Sequence, residues 1–69
     1  MLKEQIENNF TYHAPKDGDV EKYGEIRDTA KDFAELLNYF CPESRELSLA
    51  ITKLEESVMW ANAAIARNK

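Results

Sequence analysis

The sequence predicts an all-α protein in which a short N-terminal helix and an extended segment precede a two-helix antiparallel hairpin, assembling as a homo-oligomer. Two stretches repeat apolar residues at alternating spacings of three and four, which is the pattern of amphipathic helices. A Cys-Pro pair separates these two stretches. The chain has only 69 residues, fewer than a single stable core usually needs, so further copies are expected to complete it.

The N-terminal part combines a short helix with a segment unlike an ordinary linker. Residues 2–10, LKEQIENNF, are compatible with a short helix. The stretch NNFTYHAPKDGD, residues 8–19, is rich in aromatic side chains, and its Pro15 disfavours helical geometry in the residue before it. Phe10 and Tyr12 alternate along a segment predicted to be extended, so their side chains should face the same way.

The first long helix is predicted to follow Gly18. Asp17 or Asp19 is expected to cap its start, because a short carboxylate accepts hydrogen bonds from the free amides of a first turn. Pro42 should end it, since the preceding Cys41 is pushed away from helical geometry. The apolar seam of this helix consists of Tyr23, Ile26, Ala30, Phe33, Leu37 and Phe40.

The second long helix is predicted to begin at Pro42, a position where the missing amide hydrogen costs little. Glu43 and Glu46 place negative charge near its first turn, which suits the helix dipole. Two helices of about 20–25 residues joined by a tight turn should pack antiparallel as a hairpin. The seam of the second helix consists of Leu47, Ile51, Leu54, Val58, Ala61 and Ile65.

The composition limits the possible functions. A formal net charge of −4 argues against sequence-independent binding of DNA or RNA. No apolar run approaches the roughly 18–20 residues that span a bilayer, and the first residues lack the apolar core of a secretory signal. Cys41 is the only cysteine and His13 the only histidine, so neither an internal disulfide nor an ordinary zinc site is expected, and no cofactor is predicted. We therefore expect one domain, residues 1–69, in the cytoplasm.

A second apolar face lies off the seam of the last helix. It consists of Leu49, Met59, Trp60, Ala63 and Ala64. A lone hairpin cannot cover Trp60 together with both seams. Either Trp60 packs under the N-terminal segment of its own chain, or this face is an oligomer interface at which the small alanines let helices approach closely. We favour the interface, because the chain is too short for a sufficient core of its own.

Tyr12 is the first candidate binding residue. Aromatic faces stack on nucleobases, which is worth on the order of 1–3 kcal/mol per base. The tyrosine hydroxyl also favours wet or polar surroundings. Phe10, in contrast, is expected to act as a hydrophobic lid that anchors the segment to the hairpin. Of the two aromatic residues, Tyr12 is therefore the one expected to contact a ligand.

Basic residues near the first long helix form the second candidate group. Arg27 has no acidic residue three or four positions away, so no helical salt bridge is predicted for it, and its planar guanidinium matches a phosphate. Lys31 lies one turn further, within reach of acidic neighbours, and Lys16 lies upstream. His13 could bond a phosphate or a base edge, or instead stabilise its own turn. Gly24 costs about 1 kcal/mol in a helix relative to alanine, which a ligand or chain close to the backbone would explain.

Catalysis is not expected from this set of residues. The sequence contains no glycine-rich phosphate loop, no evident Cys–His pairing and no zinc-ligand spacing. Two alternatives to ligand binding remain open at this point. The chain could be a structural or regulatory helical hairpin that binds another protein through the face around Trp60, or it could be a small nucleotide-handling enzyme.

Two motifs resemble a known family. From Tyr12 to Leu36 the chain reads Y-(x14)-R-x-x-A-x-x-F-x-x-L, and residues 49–67 read LAITKLEESVMWANAAIAR. Together they resemble the short phage proteins that sequester cyclic-nucleotide immune signals, namely the anti-CBASS cyclic-dinucleotide sponges and the related hairpin of Thoeris anti-defence proteins. The resemblance implies a non-enzymatic protein that binds cyclic dinucleotides such as cGAMP, with cyclic trinucleotides and cyclic ADP-ribose isomers as further ligands.

The resemblance also implies an assembly and a set of site residues. In that family the chains form a homohexamer, a tyrosine stacks on the bases, and a basic residue holds the phosphates. Tyr12 and Arg27 match these two positions, with arginine in place of lysine, and they would come from neighbouring subunits. Some members bind cyclic trinucleotides through an arginine near the end of the last helix, which falls on Arg67 here. The helix dipole also favours a cation at that end, so Arg67 keeps a structural alternative.

Overall fold

A turn at residues 41–44 joins two long helices. The structure, a computed structural model, describes residues 3–68. Its helices are α1 (Lys3–Phe10), α2 (Asp19–Phe40) and α3 (Arg45–Arg67), and these described residues contain no strand. Because α2 and α3 pack against each other, the predicted all-α class with a helical hairpin is confirmed.

The N-terminal helix includes Phe10, which was also expected to lie in the extended segment. Leu2, which the sequence placed in this helix, lies outside the described residues, whereas Phe10 is the last residue of α1. Residues 11–18 contain no helix. Phe10 and Tyr12 therefore do not alternate along one extended segment, and the expectation that they face the same way loses its basis. A hydrogen bond from Asn8 Nδ2 to the Arg67 carbonyl, at 3.2 Å, attaches α1 to the end of α3.

The start of α2 differs from the predicted aspartate cap. Gly18 is the N-cap residue, and no side chain caps the helix there. Its φ of 85° lies in the left-handed region, which glycine adopts without the steric cost that a Cβ would bring. Asp19 is instead the first helical residue, and its Oδ2 accepts a hydrogen bond from the Lys16 amide at 2.9 Å. The carboxylate thus closes the turn before the helix rather than capping the helix.

The start of α3 corrects the prediction that this helix begins at Pro42. The helix begins at Arg45, and Ser44 is its N-cap. The Ser44 Oγ accepts a hydrogen bond from the Leu47 amide at 3.1 Å and donates one to the Pro42 carbonyl at 2.9 Å. A serine hydroxyl satisfies a free first-turn amide, which Pro42 cannot do, so the serine decides where the helix starts. Glu43 consequently lies before the helix.

The hairpin is a single layer of helices. Its principal extents are 45 × 30 × 12 Å, and a helix with its side chains is about 10–12 Å across. The radius of gyration is 15.2 Å, whereas a compact chain of this length would have about 11 Å. A single layer leaves one side of each helix uncovered, and accordingly no apolar side chain among residues 3–68 is buried.

Two further features concern residues 3–68. No helix in this part of the chain combines the length and the apolar character needed to cross a membrane. The same residues contain no group of three or more His, Cys, Asp and Glu side chains placed to hold a metal ion. Cys41 is a half-buried free thiol at the end of α2.

Candidate functional site

Hydrogen bonds at both ends hold the segment 11–18, which connects α1 to α2. His13 Nε2 donates to the Asn8 carbonyl at 2.7 Å, because a carbonyl oxygen only accepts and the ring nitrogen must therefore carry the hydrogen. At the other end, the Lys16 amide donates to Asp19 Oδ2 at 2.9 Å. Since Asn8 is also bonded to the end of α3, the segment is fixed relative to both long helices.

A cleft of about 440 Å³, here called the open-end cleft, lies between this segment and the open end of the hairpin. Three residues predicted from the sequence meet there: Tyr12, His13 and Arg67. The remaining lining residues are Asn9, Thr11, Tyr23, Asn62, Ala63 and Ala66. An aromatic ring, an imidazole and a guanidinium thus surround one space, which is the set of groups that stacks on a base and pairs with a phosphate.

Tyr12 is available for stacking, and Phe10 does not cover the hairpin. The structure leaves 83% of Tyr12 exposed, although the backbone on both sides of it is held. Phe10 is 85% exposed, so the prediction that it lies as a lid on its own hairpin is wrong. It is the last residue of α1. A fixed backbone carrying an exposed ring suits a surface that receives a flat ligand or a neighbouring chain.

Arg27 does not lie in the open-end cleft. It lines a second cleft of about 290 Å³ between α2 and α3, here called the inter-helix groove. The groove also contains Lys31, and its other lining residues are Ala30, Ala34, Ile51, Leu54, Glu55 and Val58. The two predicted phosphate-binding cations of α2 are therefore neighbours along one groove.

Arg27 has an acidic partner at a spacing that the sequence prediction did not consider. Its Nε lies 3.6 Å from Oδ1 of Asp28, the next residue in the chain. The side chains are 72% and 76% exposed, so this pair contributes little and leaves the guanidinium accessible to an anion. A Cβ at Gly24 would meet Arg27 Nη2 at 3.5 Å, which shows that the arginine itself lies over the glycine.

Lys16 lies apart from the other cations. It lines a separate hollow of about 470 Å³ together with Lys22 and the carboxylates of Asp17 and Asp19. Its backbone amide is engaged by Asp19, and the two acidic side chains offset the charge of the two lysines. The structure therefore does not bring Lys16 together with Tyr12 or Arg27.

The two clefts follow each other along α2. Tyr23 lines the open-end cleft and lies four residues before Arg27, so the two side chains are one helical turn apart on the same face. Tyr12 and Arg27 nevertheless line different clefts of the single chain. A ligand that contacts both residues of one chain would have to extend from one cleft into the next, whereas a neighbouring chain could bring the two types of residue together.

The face around Trp60 is not covered by its own chain. Trp60 is 63% exposed and Met59 is 68% exposed, so the alternative in which the N-terminal segment covers Trp60 is wrong. Ala64 is exposed as well, whereas Ala63 lines the open-end cleft. The predicted interface residues therefore form an exposed apolar surface that adjoins the cleft.

Sequence reasoning missed two residues of the open-end cleft. Tyr23 was assigned to the seam of α2 because its spacing fits the apolar repeat, and it also reaches the cleft. Asn62 was not singled out, although an amide inside the apolar run VMWANAAIA was a visible signal. Its Oδ1 is shielded from solvent and accepts no hydrogen bond from residues 3–68.

Comparison with known proteins gives one result. The model of the family described as Acb2/Tad1, hairpin domain, matches residues 2–66 of this chain. Neither the curated proteins nor the solved structures compared with the chain gave a match. The matched span includes α2, the segment 11–18 and all of α3 except its last residue, Arg67. It therefore contains every lining residue of the inter-helix groove and every lining residue of the open-end cleft except Arg67.

Proposed function

This chain belongs to the Acb2/Tad1 hairpin family and is therefore a phage anti-defence hairpin protein that binds cyclic nucleotides, and we propose that it sequesters its ligand without cleaving it. The candidate residues offer stacking and positive charge rather than a nucleophile with its base. His13, the only histidine, donates its Nε2 hydrogen to the Asn8 carbonyl, which makes it part of the local turn. Tight and reversible binding lowers the free concentration of a messenger without any chemical step.

The proposed primary ligands are cyclic dinucleotides such as cGAMP. Such a ring has two bases and two phosphates, so a symmetric interface between two chains would offer it two tyrosines and two arginines. Tyr12 of one chain stacks on a base in this arrangement, and Arg27 of the neighbouring chain holds a phosphate. Cyclic trinucleotides, with Arg67 as a contact, and cyclic ADP-ribose isomers are the next candidates. The site of action would be the host-cell cytoplasm, with neither nucleic acid nor membrane as a partner.

The observation that carries this proposal is the position of Tyr12 and Arg27. Both side chains are largely exposed, and they line adjacent but different clefts of one chain. The open-end cleft contains the aromatic ring of Tyr12, and Arg67 is its one arginine or lysine. The inter-helix groove contains two cations, Arg27 and Lys31, and no aromatic ring. Joining the clefts of neighbouring chains would supply what each one lacks.

Assembly into a homo-oligomer, with the homohexamer as the proposed state, supplies those neighbours. The large exposed apolar side chains support it: Phe10, Tyr12, Tyr39, Phe40, Met59 and Trp60. A layer one helix thick cannot cover them by itself, and their burial between chains would provide the missing hydrophobic stabilisation. Light scattering at micromolar concentration tests this point, and a monomer would contradict it.

Calorimetric titration with cyclic dinucleotides, cyclic trinucleotides and cyclic ADP-ribose isomers tests the function. We expect heat of binding with at least one member of this panel, and the ligand should be recovered intact after heat denaturation of the complex. Binding to none of them contradicts sequestration, and an altered ligand would support the enzyme alternative instead.

Two substitutions test the residues, each with a matched control. Tyr12→Ala and Arg27→Ala should each weaken binding by about 1–3 kcal/mol, from lost stacking and lost phosphate contact. Tyr12→Phe keeps the aromatic ring and should keep most of the affinity if stacking is what the tyrosine supplies. Arg45→Ala removes an arginine at an exposed position outside both clefts, so the affinity should stay unchanged. Unchanged affinity in both test variants would place the pocket elsewhere.

Binding of another protein is the alternative function that one observation favours. Trp60 and Met59 form an exposed apolar surface, which is also what a partner protein would use. In that case Trp60→Ala would abolish anti-defence activity, whereas Tyr12→Ala and Arg27→Ala would leave it intact. A plaque assay on a host that carries the defence system separates these outcomes.

A further inference from the structure

Asn62 carries a buried acceptor without a donor. Its Oδ1 is shielded from solvent and accepts no hydrogen bond from residues 3–68, and it is the one side-chain atom in this part of the chain with that property. A buried amide oxygen without a donor is unfavourable, because it has lost water and gained no partner. Asn62 itself lines the open-end cleft, so a ligand bound there could supply the missing donor.

Two donors near Asn62 are engaged with backbone carbonyls. The Nε2 hydrogen of His13 is donated to the Asn8 carbonyl. Asn8 in turn donates through Nδ2 to the Arg67 carbonyl. The other donors that line the cleft, which include the Arg67 guanidinium and the Tyr12 and Tyr23 hydroxyls, do not donate to the Asn62 oxygen either.

We propose that Asn62 reads the base of the bound nucleotide and selects adenine, an inference that rests on the proposed function. An asparagine carboxamide pairs with the edge of adenine, with Oδ1 accepting from the exocyclic amine and Nδ2 donating to N7. The final torsion of an asparagine side chain is soft, so a small rotation turns Oδ1 towards the cleft. Tyr12 lines the same cleft and offers its ring to the face of that base.

Base discrimination provides the test. In cyclic di-IMP a carbonyl replaces the exocyclic amine of each adenine of cyclic di-AMP, and N1 carries a hydrogen. On the edge that the asparagine pairs with, N7 is unchanged and Oδ1 meets an acceptor instead of a donor. By calorimetry, the wild-type protein should bind the adenine ligand about 5- to 150-fold more tightly than the hypoxanthine ligand. Asn62→Ala should reduce this ratio to near one. Asn38→Ala, an asparagine-to-alanine change at an exposed position of α2 outside both clefts, should keep the wild-type ratio.

The outcomes separate this inference from the proposed function. If the wild-type protein binds neither ligand nor any other cyclic nucleotide, the proposed function fails. If it binds both ligands equally well, or if Asn62→Ala keeps the wild-type ratio, only the role of Asn62 is overturned. An unchanged ratio with a lower oligomer mass would assign the Asn62 oxygen to a subunit contact. If Asn62→Ala does not fold, Asn62→Leu keeps the volume, lacks both polar groups, and should likewise bring the ratio near one.

Discussion

Replacing Asp19 tests how the segment 11–18 is held. Asp19 is 4% exposed and is the only buried residue among residues 3–68. Its Oδ2 accepts from the Lys16 amide at 2.9 Å, and its Oδ1 lies 3.9 Å from Lys22 Nζ. Asp19→Ala removes the carboxylate, and with it the hydrogen bond to the Lys16 amide and the ion pair with Lys22.

The hydrogen bond to the buried carboxylate should dominate the effect. A hydrogen bond to a charged group is worth about 1.5–3 kcal/mol. The ion pair adds a few tenths at most, because the Lys22 side chain is 62% exposed and the contact is long. Asp19→Ala should therefore lower the free energy of unfolding by about 1.5–3 kcal/mol, which in a domain of this size lowers Tm by roughly 6–24 °C.

Thermal and urea unfolding followed by circular dichroism measure this change. All variants are compared at one protein concentration, because the Tm of an oligomer depends on concentration. Lys22→Ala and Asp17→Ala are the controls, and each should stay within about 0.5 kcal/mol of the wild type. If Asp19→Ala also stays within that range, the carboxylate does not hold the segment. If Lys22→Ala is equally damaging, the ion pair and not the amide bond is responsible.

Three further changes test the turn, α2 and the proposed pocket. Ser44→Ala removes the acceptor of the Leu47 amide, so urea unfolding should show a loss of about 0.5–2 kcal/mol, and an unchanged midpoint would contradict the cap. Gly24→Ala should stabilise the protein by about 1 kcal/mol in the same assay. The reason is that, within the described chain, a Cβ at this position meets only Arg27 Nη2. A loss of stability or of oligomer mass would instead reveal a neighbouring chain against this backbone. Joint refolding of Tyr12→Ala with Arg27→Ala chains should restore part of the ligand binding measured by calorimetry, because a shared pocket regains one tyrosine and one arginine. No recovery would contradict a shared pocket.

The positions of the long helices were predictable, but some of their ends were not. Apolar side chains three and four residues apart meet on one face of a helix, so the seams of α2 and α3 are visible in the sequence. Pro42 was predicted to start α3, whereas Ser44, two residues later, was not considered. Only the hydrogen bond from the Leu47 amide to Ser44 Oγ shows which of them begins the helix.

The candidate site was predictable in part. Tyr12, His13 and Arg67 were each singled out for separate reasons, and the structure places all three in the open-end cleft. Arg27 lies in the adjoining groove, and its ion pair with Asp28 was missed because only spacings of three and four were considered. Asn62 was missed because one polar residue in an apolar helix has no spacing pattern to mark it.

By itself, the sequence determined the helices and, through its motifs, the family, because both are encoded by residues at short and regular distances along the chain. Only the tertiary structure decided that the N-terminal segment lies against the end of α3. That placement depends on contacts such as the Asn8–Arg67 hydrogen bond, whose partners are 59 positions apart. The tertiary structure also decided that the hairpin forms one thin layer and leaves Trp60 and Tyr12 exposed. Exposure depends on which elements cover one another, and local spacing does not contain that information.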